Sequence, residues 1–151
     1  MLKNFRFLII LVILLVSACG WFKQPPEIGK VLAEHFNNKI YKDFDTIAYD
    51  SVFVKTLDSL SESFTNPKTI NAFYTANKNE PKMVTKFYIS GELDSLVEFL
   101  NTSGAHGFNP KIFKIEEIKT LLAELSANKI KKVEQSYPLI AKLELLSANA
   151  Y

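Results

Sequence analysis

Cysteine occurs once in this chain, at position 19, so no disulfide can staple its fold. A domain of this kind has to draw its stability from a hydrophobic core, whatever the redox state of its compartment. The residues ahead of Cys19 narrow the picture further. Lys3 and Arg6 supply a positive start, Phe7 to Val16 is unbroken apolar sequence, and small residues follow, which is the pattern of a secretory signal. A helix that spans a bilayer needs about 20 apolar residues, and this run meets Gly20, Trp21 and Lys23 too soon. Residues 1–18 therefore read as a removable signal. The whole chain has 18 basic and 16 acidic residues, so without Lys3 and Arg6 the two signs balance. A neutral domain with no basic stripe is not built to hold nucleic acid, which is gripped largely through lysine and arginine. The densest basic cluster, Lys129, Lys131 and Lys132, reads as a solvated turn or helix start.

Val16-Ser17-Ala18-Cys19 resembles the lipobox of bacterial lipoproteins. That resemblance implies a diacylglycerol on the Cys19 sulfur and cleavage just before it, so that the membrane is the first partner. Acyl burial contributes about 0.8 kcal/mol per methylene, and two or three chains hold where one alone is marginal. Residues 19–26 then form the lipidated cysteine and a short tether broken by Pro25-Pro26. Gly20 stands where some bacteria place the aspartate of inner-membrane retention. The resemblance therefore implies a cell-envelope, periplasm-facing protein, lipid-anchored, with the outer membrane favoured.

From residue 27 onward the apolar residues recur at helical spacing. Ile28, Val31, Leu32 and Phe36 mark a first helix ending near Asn37-Asn38, with His35 at its boundary and no partner at metal-binding spacing. Asp50 is expected to cap a helix carrying Val52, Phe53, Leu57, Leu60 and Phe64. Asn66-Pro67 starts another helix, with Ile70, Phe73 and Tyr74 on its apolar face. Met83 to Ile89 is rich in β-branched and aromatic residues and suggests a short strand, paired with Ile40 to Ala48. Ser90-Gly91 opens a helix with Leu93, Leu96, Val97, Phe99 and Leu100 on one apolar face. Helices over about 115–127 and from Ile130 to the end complete the pattern, with a kink or fresh start at Pro138. The expected fold is mainly α: a small bundle of about five to six helices with at most one short strand pair.

Three pieces in this order resemble the amino-terminal scaffold domain of the large murein L,D-transpeptidases, which cross-link peptidoglycan. They are Ala72-Phe73-Tyr74 ahead of Glu80-Pro81; Leu96 to Phe113, above all His106-Gly107-Phe108-Asn109-Pro110; and Ala141 to Tyr151. Where that family usually has tryptophan shortly after the proline, this chain has Met83-Val84. The resemblance implies that residues 27–151 form a helical scaffold-like domain. Its partners would be a catalytic L,D-transpeptidase domain in cis or in trans, and peptidoglycan. His106, Gly107, Phe108, Asn109 and Pro110 would then be a structural turn, with Phe108 and Phe113 in the core.

The family's reaction needs a cysteine thiolate activated by histidine, within a serine-histidine-glycine-cysteine segment. No such segment is present, and the sulfur of Cys19 would carry lipid. Glu116-Glu117 and Asp43/Asp45 are acid pairs whose spacing points them to different sides of a helix. The expectation is a noncatalytic chain with no catalytic residue, cofactor or metal. It would be either the front part of an L,D-transpeptidase or a remnant of one. Leu143, Leu146 and Tyr151 carry an apolar pattern to the last residue, which suits either a fragment or a natural end. The alternative is a stand-alone cell-envelope lipoprotein that binds a protein partner or peptidoglycan through exposed aromatics, with Tyr41, Tyr49, Phe87 or Tyr88 as candidates.

Overall fold

Pro26, extended at ψ 158°, delivers the chain into the first described helix, α1 (Glu27–His35). The computed structural model describes residues 24–107, 110–127 and 129–150. The lipobox residues Val16, Ser17 and Ala18, the lipidation residue Cys19, and Phe108, Asn109 and Tyr151 lie outside the described residues. After α1, Asn37 turns the backbone at φ 46°, a left-handed conformation that asparagine reaches more readily than most residues. A 3-10 turn over Lys39–Asp43 follows, started by the Asn38 side chain accepting from the Ile40 N–H. Gly29 allows the turn to lie against α1, because a Cβ there would sit 2.5 Å from the Tyr41 carbonyl oxygen.

Helix α2 (Thr46–Leu60) begins at Asp45, whose carboxylate accepts from the N–H groups of Ile47 and Ala48. The cap is thus Asp45 and not Asp50. Asp50 lies inside the helix and accepts from the Asn79 side chain at 2.7 Å. Helix α3 (Pro67–Ala76) starts on its proline, where the missing N–H is not needed. The next element overturns the expected strand pair. Met83–Tyr88 is a π-helix, and Ile40 to Ala48 divides between the 3-10 turn and α2, so the described residues contain no strand. The physical reason is the burial pattern: Val84 and Tyr88 are buried, and their chain neighbours Met83 and Phe87 sit half-buried beside them, whereas a strand would send adjacent residues to opposite faces.

Gly91, at φ 83°, admits the chain to α4 (Glu92–Thr102), and only glycine adopts that conformation without strain. A 3-10 turn over Ser103–His106 ends at Gly107, also left-handed at φ 82°, and another begins at Pro110 (Pro110–Phe113). Helix α5 (Ile115–Ser126) and α6 (Tyr137–Ala150) follow. Pro138 falls in the first turn of α6, so it marks a fresh start and not a kink.

The last helix is the centre of the bundle. It packs on α2, α3, α5 and the π-helix, and Ile140, Ala141, Leu143, Leu145 and Leu146 are all buried, as expected of a helix apolar on every side. Its start is tied to α2 by the Asp45 N–H, which donates to the Tyr137 hydroxyl oxygen at 2.8 Å. The molecule is therefore a small all-α bundle wrapped around one helix. No helix among the described residues is long and apolar enough to cross a membrane.

Candidate functional site

One acidic side chain lies in the middle of this apolar helix. Glu144 is fully buried, and a carboxylate in that position is costly unless donors surround it. Here they do. Oε1 accepts from the Tyr74 hydroxyl at 2.6 Å and from the Met83 N–H at 2.9 Å, and Oε2 accepts from the Val84 N–H at 2.8 Å. The carboxyl thus caps the first turn of the π-helix from across the core, where free N–H groups and the helix dipole favour an anion. Burial pushes its pKa up to about 7, against the pull of the Met83, Tyr74 and Val84 donors. Tyr74 is pushed far up, first by burial and then by the Glu144 charge beside it. Tyr49, whose buried hydroxyl has no hydrogen-bond partner among the described residues, is raised by burial and then by the same charge.

This node ties together two walls of an open groove. Tyr74 on α3 and Met83 on the π-helix both bond to Glu144 and both line a cleft of about 530 Å³. Phe73, Met83, Phe87 and Ala148 give it apolar surface, and Lys82 and Lys86 stand on it. Phe73, expected on the inward face of α3, is 40% exposed. Ile70 and Tyr74 are the inward residues of that helix. The far end of the π-helix is held by a hydrogen bond between the Tyr88 and Ser126 hydroxyls at 2.8 Å.

Residues 68–151 match the Scaffold domain family, more than half of the chain. The chain belongs to that family. Comparison with curated proteins and with solved structures returns no match. The scaffold domain begins at α3 and takes in the π-helix, the groove and Glu144. Helix α2 lies ahead of the matched residues yet packs on α6, so the scaffold domain shares its core with the segment before it.

The expected site residues fall elsewhere. Gly107 is an exposed turn, His106 closes one 3-10 turn and Pro110 opens the next. Phe113 is half-buried against the core. His35 is exposed, with its ring edge-on to Tyr88 at 5.3 Å. Of the aromatic candidates, Tyr41, Tyr49 and Tyr88 are buried, and Phe87 is half-buried in the groove. The exposed aromatics among the described residues include Phe73 and Phe99, and Phe99 thus departs from the apolar face its spacing predicts. Glu116 and Glu117 pair separately, with Lys119 and with Lys142, and do not converge. The sequence did carry two signals for this node and groove. One is a lone acid within the mostly apolar stretch Leu139 to Leu146, and the other is the repetition, four residues apart, of the adjacent apolar pairs Met83-Val84 and Phe87-Tyr88.

Proposed function

We propose that this protein is a noncatalytic, lipid-anchored scaffold of the cell envelope, either the front part of a peptidoglycan cross-linking L,D-transpeptidase or a remnant of one. The observation that carries the reading is the Scaffold domain match over 68–151, in a chain whose sole cysteine follows a signal-like segment. With that sulfur committed to lipid, the chain has no thiol to serve as nucleophile. Its work is then to hold other components in place: the membrane through Cys19, and a catalytic L,D-transpeptidase domain in cis or in trans. The Glu144 node supports this reading, because a buried, fully bonded carboxylate favours a rigid frame over a reacting group.

Metabolic labelling with an alkyne fatty acid tests the anchor. The full chain is expected to take up label in an envelope fraction, and Cys19→Ser to lose it; an unlabelled wild-type chain overturns the anchor. Incubation of the full chain with disaccharide tetrapeptide is expected to give no cross-linked product, and any cross-link above that of a no-protein control overturns the noncatalytic assignment. A reading frame continuing past Tyr151 into a serine-histidine-glycine-cysteine segment assigns the front-part form.

A further inference from the structure

The groove between α3 and the π-helix has a charge signature of its own. Its described lining contains two lysines, Lys82 and Lys86, and neither aspartate nor glutamate. Lys82 is paired with Glu80 at 2.7 Å, and Lys86 is exposed on the wall of the groove. Between them lies apolar surface from Phe73, Met83 and Phe87, with the Asn77 side chain already engaged by the Phe73 carbonyl. The walls are set in advance, because Tyr74 and Met83 bond to the same Glu144 oxygen. A preformed apolar cleft of this size, with a few placed polar groups, is the usual form of a binding site. A π-helical turn in its wall fits the same expectation.

We infer that this groove binds a peptide segment of a protein partner, an apolar or aromatic anchor flanked by carboxylates, with the anchor against Phe73 and Met83 and a carboxylate on Lys86. The anchor covers the exposed Phe73 and the half-buried Met83 and Phe87, and a flanking acid answers the exposed Lys86. A lipid surface fits less well. Anionic bilayers attract at about 1 kcal/mol per basic residue, and this groove offers two lysines, one of them already paired. The inference rests on the scaffold reading in naming a protein as the partner.

The test is selection of a displayed library of random peptides on the full chain in detergent, with Phe73→Ala and Lys86→Glu as counter-targets. Both side chains are at the surface, and circular dichroism checks that the variants keep the fold. Enriched peptides are expected to carry an aromatic or leucine beside aspartate or glutamate. A synthetic copy should bind either variant about tenfold or more weakly than wild type. No enrichment over the variants, enrichment of basic peptides, or equal binding to the variants overturns the inference. So does binding to phosphatidylglycerol vesicles that Lys86→Glu abolishes while no peptide motif emerges, which would assign the groove to lipid. Failure here with intact fatty-acid labelling sinks the groove inference alone, and loss of labelling with a clear peptide motif sinks the anchor alone.

Discussion

Helix α6 is held by two seams of opposite character. Against α2 and α5 it packs through apolar residues, Tyr49, Phe53 and Leu57 on one helix and Ile118, Leu122 and Leu125 on the other. The charged pair between α6 and α5, Lys142 with Glu117, leaves both side chains more than a third exposed. Against the π-helix, two residues further along, the link is the Glu144 carboxyl, fully buried and bonded to three donors. The difference teaches that a charge matters to this fold through what it would leave behind. Water can replace Lys142 at an open edge. Nothing can replace Glu144 behind the groove.

Replacing the carboxyl breaks the contrast most sharply. Glu144→Leu keeps the volume but strands the Tyr74, Met83 and Val84 donors in the core, and should cost about 3–5 kcal/mol in urea unfolding. Loss of under 1 kcal/mol would mean that the π-helix does not depend on this cap.

The same seam should give stability a pH dependence. The folded carboxyl keeps its proton up to about pH 7, whereas its ordinary value is 4.5, so between those values the native state holds a proton that the unfolded chain has released. This contribution is fully present below about pH 4.5 and is lost as pH rises through 7. It amounts to roughly 3 kcal/mol across the window. Denaturant midpoints measured from pH 4.5 to 8 should fall for wild type and flatten for Glu144→Gln; parallel curves for the two would refute it.

Tyr74→Phe removes one donor and leaves the carboxyl its two backbone bonds, with an expected loss of about 2 kcal/mol. Combined with Glu144→Leu, it should add less than its own cost, because the two side chains share one network. Full additivity would separate Tyr74 from the node. The smallest effect belongs to the open seam. Lys142→Ala should change stability by about 0.5 kcal/mol or less, and less still at high salt. A larger loss would show that the two seams are alike after all.

Much of the bundle was legible in the sequence because helical signals are local. Asn66-Pro67, Gly91 and Gly107 act on their own backbone and its neighbours, and the structure finds a helix start or a left-handed turn at each. Asp45 and Asp50 are both acids near one apolar pattern, and which one caps depends on where the preceding 3-10 turn ends. The strand expected at Met83 to Ile89 failed for a related reason. β-branched and aromatic residues fit a pleated surface only when a partner strand exists, and here the first turn is held by a side chain sixty or more residues away.

By itself the sequence determined that this chain folds without disulfides as a helical bundle, and that residues 68–151 belong to the scaffold family. Those properties follow from periodicity, turn residues and motif order, all of which act over short stretches of chain. Only the tertiary structure decided that Glu144 is a cap, that Tyr41, Tyr49 and Tyr88 are core, and that Phe73 and Lys86 share a groove. A buried charge takes its role from the donors the fold brings to it, and an aromatic is surface or core according to which helix lies against it.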